Sequence, residues 1–159
     1  MTSELFAGRH YDRIAIGEEF TSAMTVTESH VRLGAGMIGD FNPLHVNETF
    51  ARASRFGSRI LHGVLTSAIL GGPVGMIFAG TAIGYLEHNT RFLAPVRIGD
   101  TLTLCWRVVD KLDKPAHRGG IVVLDGRAVN QDGVVVAEAT GKMLVASAPA
   151  QDLRRVCGT

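Results

Sequence analysis

The second half of the chain alternates apolar and polar residues with a period of two. The first alternating segment begins after residue 84 and ends at Pro95. One side of it carries Leu86, His88, Thr90 and Phe92. The alternation returns in three further segments, at 102–108, 121–129 and 134–145. The turn sequence NQDG separates the last two, whereas the polar stretch 111–120 is expected to be a loop. The pattern predicts three or four antiparallel strands with one apolar face.

The longest apolar stretch comes just before these strands. Residues 63–86 contain no charged side chain and six glycines. Its first part predicts a helix from about His62 to Phe78 that is apolar on all sides, as a helix at the centre of a core is. Pro73 removes one helical hydrogen bond, so we expect a kink or break near residues 71–73. The stretch is also long enough to cross a bilayer, which is the alternative interpretation.

The first half of the chain predicts a short strand and two helices. The strand is expected at 20–26, and Thr27 is a suitable N-cap for a helix that Gly39 ends. Asn47 is predicted to cap a shorter second helix. An apolar helix and a sheet with one apolar face bury each other. The expected fold class is therefore α+β, with an antiparallel sheet wrapped around a long central helix.

Length and composition limit what such a chain does. With 159 residues and no internal repeat or linker, it is expected to form a single domain, with a core at about 10–146 and a loosely held tail at 147–159. Basic and acidic residues number 16 and 15 without a basic block, which argues against a nucleic-acid surface. Cys105 and Cys157 suggest neither a metal motif nor a disulfide, so we expect a reduced, cytoplasmic protein without a metal. The first twenty residues do not resemble a secretion signal.

The sequence GDFNPLH at 39–45 is the strongest candidate for chemistry. It places the carboxylate of Asp40 and the imidazole of His45 five residues apart. Gly39 and Pro43 prevent a regular helix, so the segment is predicted to form a fixed turn. Asp40 and Asn42 are also residues that cap turns through backbone amides without any reactive role, which is the simpler interpretation.

This segment is one of several motifs that together resemble a known family. The others follow it in a consistent order, as FA at 50–51, RILHG at 59–63, RFLAPV at 91–96 and GD at 99–100. The set resembles the MaoC-like (R)-specific enoyl-CoA hydratases, which have the hot-dog fold, and the first motif is the specific one. The resemblance implies reversible addition of water to a trans-2-enoyl-CoA, giving an (R)-3-hydroxyacyl-CoA.

The resemblance also implies roles for individual residues. Asp40 and His45 are expected to activate the water, without a division into base and acid. Gly63 matches the position whose backbone N–H binds the thioester oxygen, and Asn42 is expected to support the loop. His62 is interpreted as a hydrogen-bonded core histidine. No cofactor is implied beyond the CoA thioester substrate, and the family implies a homodimer with no nucleic-acid or membrane partner.

Two positions depart from the family, and two other functions stay open. Ile38 stands where many members have a hydroxyl residue, and Asn47 where aspartate is frequent. A hot-dog acyl-CoA thioesterase is the first alternative, although residues 63–80 lack the carboxylate that such enzymes commonly carry on the central helix. A non-catalytic acyl-CoA-binding partner subunit is the second. Gly71, Gly72 and Gly75 suggest the hypothesis that the helix leaves room for an acyl tail.

Overall fold

The computed structural model describes residues 8–148, in which five strands form one sheet around a central helix. The helices are α1 (Glu28–Ile38), α2 (Pro43–Val46), α3 (Glu48–Ala53) and α4 (Gly63–Ile77). The strands are β1 (Glu19–Thr25), β2 (Ala82–Phe92), β3 (Thr101–Lys114), β4 (Gly119–Val129) and β5 (Val135–Ala146). Two short 3₁₀ turns lie at Tyr11–Arg13 and Pro115–His117.

All neighbouring strands are antiparallel, in the order β1-β3-β4-β5-β2. The long helix α4 packs on one face of this sheet. Trp106 of β3 is fully buried against it and donates its indole N–H to the carbonyl of Leu70, at 2.8 Å. Leu70, Val74 and Phe78 bury their side chains in the same core. Truncating such a residue to alanine typically costs about 2–5 kcal/mol, so the contact between α4 and the sheet holds the fold together.

The expected loop at 111–120 is wrong for most of its length. β3 continues to Lys114 and β4 begins at Gly119, so only the short turn between them is outside the ladder. A contact from the distant N-terminal segment lies against this extension, because the Tyr11 hydroxyl donates to Asp113 at 2.6 Å. The sequence did not predict this end of β3 because polar side chains lie on both of its faces. The alternation of apolar residues ends before the hydrogen-bonded ladder does.

Helix α4 matches the predicted helix but is not broken at Pro73. It runs as one helix from Gly63 to Ile77, so a break near residues 71–73 does not occur, while a bend there stays a prediction. No helix within residues 8–148 is long and apolar enough to cross a membrane. The single-domain interpretation stays a prediction, and the expected loose tail lies outside the described residues from position 149 onward.

The central helix is less completely buried than the sequence suggests. Val64 and Met76, on α4, are 59% and 63% exposed. Among the described residues, strand β2 pairs with β5 alone at an edge of the sheet, and it also exposes large apolar side chains. These are Ile83, Tyr85, Leu86 and Phe92. The single chain therefore leaves apolar side chains exposed both on the central helix and on this edge of the sheet.

Candidate active site

The loop between α1 and α2 is built from the turn residues that the sequence indicated. Gly39 ends α1 in the left-handed conformation, with φ of 73°, which glycine adopts without strain. The Asp40 Oδ1 atom accepts the backbone N–H of Asn42 at 3.0 Å. The Asn42 side chain in turn accepts the N–H of Leu44 at 3.0 Å and caps α2, whose first residue is Pro43. Asn42 therefore bonds within the loop, while Asp40 keeps its second carboxylate oxygen available. The predicted turn extends only to Asn42, since the one-turn helix α2 begins at Pro43.

His45 points back toward this carboxylate. Its Nδ1 atom lies 2.8 Å from the carbonyl oxygen of Ile60. A carbonyl only accepts hydrogen bonds, so the proton of the neutral ring lies on Nδ1 and Nε2 keeps a free lone pair. That Nε2 atom is 3.8 Å from the Asp40 Oδ2 atom. The fold thus brings together the two side chains that the sequence singled out, with His45 12% exposed and Asp40 46% exposed.

His62 holds both members of this pair in place. It is buried, as expected of a core histidine, and its Nε2–H donates to the backbone carbonyl of Asp40 at 2.9 Å. Its ring stacks on that of His45, with 3.8 Å between centroids. The Nδ1 atom of His62 is buried without a hydrogen-bond partner among the described residues. The sequence did not reveal this contact, because residues 40 and 62 meet only through the tertiary fold.

Gly63 follows His62 directly and is the first residue of α4. The N–H groups of a first helical turn have no acceptor within the helix, and they carry partial positive charge. A Cβ at this position would lie 3.3 Å from the Phe92 ring of β2, so a side chain here would crowd the approach to the amide. The covalent link to His62 sets this amide beside the Asp40–His45 pair.

Asp40, His45 and His62 also raise the question of a metal. One nitrogen or oxygen of each lies within 4.8 Å of the others. However, the two imidazoles are stacked at an interplanar angle of 30°, so their in-plane lone pairs run side by side rather than converge on one ion. The Nε2 atom of His62 is moreover engaged with the Asp40 carbonyl. The arrangement suits hydrogen bonding and proton transfer better than metal chelation.

An ion-pair cluster behind the loop was not predicted from the sequence. Arg59 contacts Glu28 of α1 at 2.7 Å and Glu48 of α3 at 2.9 Å. Hydrogen bonds from Arg59 and Arg32 lower the pKa of Glu28 to about 2, and the same kind of contact lowers the pKa of Glu48. The cluster ties α1 to α3, the two helices that flank the candidate loop. Its members are 11 to 31 residues apart, so no local pattern announces it.

A cavity of about 590 Å³ lies elsewhere, on a face of the sheet. Its lining includes charged side chains from β1 to β5 and none of the candidate residues. These are Glu19, Arg91, Arg107, Asp125, Arg127 and Glu138. Opposite charges alternate across neighbouring strands there, which is typical of a solvated sheet face. We therefore assign the site from the side-chain chemistry at the start of α4 and not from the size of this cavity.

Known hydratases and dehydratases resemble this chain in sequence. A family profile described as MaoC like domain matches residues 13–126. The chain is 38% identical over 94 residues to an (R)-specific enoyl-CoA hydratase of Rhodospirillum rubrum, covering 59% of this chain and 65% of that relative, just under two thirds. It is 30% identical over 128 residues to a 3-hydroxybutyryl-CoA dehydratase of Methylorubrum extorquens, covering 76% of this chain and 82% of the relative.

Solved structures show the same architecture. The R-hydratase PhaJ1 of Pseudomonas aeruginosa superimposes with a TM-score of 0.78 at 25% identity, over 94% of this chain and 96% of that one. A Mycobacterium tuberculosis protein with a double hotdog fold gives a TM-score of 0.81 at 17% identity, over 91% and 46% of the two chains, which supports the fold alone. The predicted hot-dog fold is confirmed, and the chain belongs to the MaoC-like domain family.

Proposed function

We propose that this protein is an (R)-specific enoyl-CoA hydratase, which also works in reverse as a 3-hydroxyacyl-CoA dehydratase. The observation that carries the proposal is the orientation of His45. Its Nδ1–H is engaged by the Ile60 carbonyl, and its bare Nε2 faces the Asp40 carboxylate at 3.8 Å. Two acceptors at that separation suit a single water better than a direct hydrogen bond.

The pair then performs the proton transfers of hydration. One water, about 2.8 Å from each acceptor, donates one hydrogen to Nε2 of His45 and the other to Oδ2 of Asp40. Its lone pairs are left free to attack C3 of the enoyl thioester while the pair removes a proton. A proton held on the pair is afterwards delivered to C2. Each such group is typically worth about 10² to 10⁴ in rate.

The first amide of α4 serves the other end of the reacting system. Attack at C3 pushes electrons onto the thioester oxygen, which becomes an enolate oxygen. The Gly63 N–H is oriented outward at the positive end of a 15-residue helix, and donors of this kind stabilise such an oxyanion by about 10² to 10³ in rate. The water and the oxyanion donor are thus supplied by adjacent parts of the fold, linked through His62.

The alternatives make different demands on these residues. A thioesterase of the expected kind needs a carboxylate on the central helix, and α4 contains neither aspartate nor glutamate. A non-catalytic acyl-CoA-binding subunit needs no free imidazole lone pair beside a carboxylate. The arrangement therefore favours the hydratase over both.

The test is to follow the enoyl-thioester absorbance of crotonyl-CoA with purified protein and with Asp40→Asn. We expect loss of absorbance, formation of the (R)-3-hydroxy product, and a rate about 10² to 10⁴ lower in the variant. Asp132→Asn, an exposed carboxylate in the β4–β5 turn, is the matched control. Release of free CoA thiol would favour the thioesterase, and binding without turnover would favour the silent subunit.

The protein is further proposed to act as a homodimer without a cofactor. The exposed apolar side chains of α4 and of the β2 edge are the kind that a second copy covers, and within residues 8–148 no strand pairs with the outer edge of β2. The half-exposed Asp40 also requires cover, because proton transfer of this kind benefits when bulk water is excluded. Dialysis against a chelator should leave the hydration rate unchanged. A cytoplasmic location rests on the cysteine content alone.

Light scattering tests the dimer. The expected mass is twice the chain mass of 17.0 kDa. Ile83→Lys, on the β2 edge, should shift the protein toward the monomer because it places a charge on the contact. Ile16→Lys is the matched control, since Ile16 is 61% exposed in the loop before β1. A monomeric wild-type protein would exclude this arrangement.

A further inference from the structure

A second polar cluster lies between α4 and β2, apart from the catalytic pair. The Nε2 atom of His88 is 3.0 Å from the hydroxyls of both Ser67 and Thr90, which are themselves 2.7 Å apart. The Nδ1 atom of His88 is 2.6 Å from the Tyr85 hydroxyl. We refer to Ser67, Tyr85, His88 and Thr90 as the His88 cluster. None of them takes part in the proton transfers described above.

The central helix accommodates this cluster through a missing side chain. A Cβ at Gly71 would lie 3.3 Å from Cε1 of the His88 ring, so the imidazole occupies the space that a larger residue would fill. The hypothesis that Gly71 leaves room for an acyl tail is therefore wrong at that position, while Gly72 and Gly75 face no atom within 4 Å. Ser67, His88 and Thr90 are half-buried between α4 and β2, and the exposed Tyr85 hydroxyl completes this polar cluster.

The cluster lies on the same side of α4 as the proposed oxyanion donor. Phe92 of β2 contacts the position of Gly63, and Thr90, two residues away on the same face of the strand, meets Ser67. Ser67 comes four residues after Gly63, which places it about 6 Å further along the helix axis. An extended acyl chain advances about 1.2 Å per bond, so an oxygen on the fifth carbon, which is five bonds from the thioester carbon, covers this distance.

The charge of the cluster restricts what it recognises. It contains neither a carboxylate nor a basic side chain, and burial lowers the pKa of His88, which keeps the ring neutral near pH 7. Hydroxyls donate or accept according to their partner, so the cluster adapts to an oxygen that does either. A carboxylate would find no counter-charge there, and a plain hydrocarbon chain would remove water from the hydroxyls without replacing its hydrogen bonds.

We propose that the His88 cluster recognises a neutral oxygen-bearing group, a hydroxyl or a ketone, at about the fifth carbon of the enoyl-CoA acyl chain. The inference rests on the proposed hydratase function and names its substrate class. The hydroxyls of Ser67 and Thr90 contact the substituent. His88 orients these two hydroxyls, and Tyr85 in turn orients the His88 ring.

The test compares kcat/KM for trans-2-hexenoyl-CoA and for its 5-hydroxy derivative. The wild-type protein should prefer the hydroxylated substrate by about tenfold, as one or two hydrogen bonds provide. Thr90→Val and Ser67→Ala, which remove a hydroxyl at little change in shape, should each reduce this ratio toward one. Thr103→Val, at an exposed position of β3, is the matched control and should keep the wild-type ratio.

The outcomes separate this inference from the hydratase function itself. If the wild-type protein hydrates crotonyl-CoA but uses the two hexenoyl substrates equally, or prefers the plain one, the inference is wrong and the function stands. Equal losses on both substrates in Thr90→Val, or a change of oligomeric mass in place of a change in ratio, would also overturn it, since either would mean that the cluster is structural. If none of the three substrates is hydrated, the proposed hydratase function itself is wrong.

Discussion

His45 and His88 differ in what their ring nitrogens contact, and this difference separates the histidine proposed to react from the histidine proposed to help recognise the substrate. His45 donates to a backbone carbonyl, which only accepts, so one tautomer is fixed and its second nitrogen is bare. His88 has hydroxyls at both nitrogens, and hydroxyls both donate and accept. The partners of His88 therefore do not fix its tautomer, and neither of its ring nitrogens keeps a lone pair free for a substrate. The type of hydrogen-bond partner therefore decides which histidine keeps a ring nitrogen free to accept a proton.

The two histidines also differ in their charged neighbours and in their supporting elements. His45 lies on the four-residue helix α2 beside the Asp40 carboxylate. His62 donates to the Asp40 carbonyl and stacks on the His45 ring. His88 lies on a long strand, and its partners are uncharged. A loop site next to a carboxylate is suited to acid–base chemistry. A strand site lined with hydroxyls is suited to selecting a substrate by its shape and its hydrogen bonds.

The largest expected effect comes from removing the bare nitrogen of His45. His45→Gln keeps a polar side chain of similar length but has no basic lone pair, so crotonyl-CoA hydration should fall by about 10² to 10⁴. The measurement is the initial rate at saturating substrate, with circular dichroism to check folding. His117→Gln, at an exposed histidine in the turn before β4, is the matched control. A His45→Gln enzyme with near-normal turnover would mean that the two histidines do not differ in the way described here.

The second largest expected effect comes from removing the backbone N–H of Gly63, which neighbours both the Asp40–His45 pair and the His88 cluster. Gly63 is the first residue of α4, where proline is tolerated, and His62 already has the extended backbone that precedes a proline, with ψ of 139°. Gly63→Pro should therefore remove the N–H donor without breaking the helix and lower kcat by about 10² to 10³. Gly63→Ala keeps the N–H and serves as its partner variant. If both variants lose the same activity, crowding by Phe92 is responsible and not the donor.

The smallest effect concerns the ion pairs that support the loop of His45 and have no equivalent at His88. The pKa of Glu28 is lowered to about 2 from 4.5, so its contribution is present above about pH 4.5 and is lost as the pH falls toward 2. Because Glu28 is 37% exposed, we expect only about 1 kcal/mol. The free energy of unfolding of wild type minus Glu28→Gln should show this difference at pH 6 and lose it near pH 2. A difference independent of pH would mean that charge is not its source.

Much of the fold and of the candidate site follows from local sequence. Gly39 ends its helix and Asn47 caps its own as predicted, because such interactions involve residues within a few positions of each other. Pro43 instead starts the one-turn helix α2 in a segment that was predicted to be a turn. The approach of His45 to Asp40 was expected from the resemblance to the MaoC-like hydratases, which implied that the two residues activate a water together. The alternation along β2 likewise placed His88 and Thr90 on one side of a strand.

The contacts between distant segments were not predictable in this way. The bond from His62 to Asp40 spans 22 residues and that from Arg59 to Glu28 spans 31. The position of Ser67 beside Thr90 depends on how α4 packs on the sheet, and the length of β3 depends on its partner strand. Sequence periodicity indicates which side of an element faces inward, but not which residue it meets there.

By itself, the sequence determined most of the elements, the segment that carries Asp40 and His45, the hot-dog fold and the family. Only the tertiary structure decided which His45 nitrogen is free, what fills the space at Gly71 and which apolar surface stays uncovered. The physical reason is range. Caps, turns and periodicity arise from neighbours along the chain, whereas a tautomer, a filled gap and an exposed face depend on atoms that packing brings together from far apart.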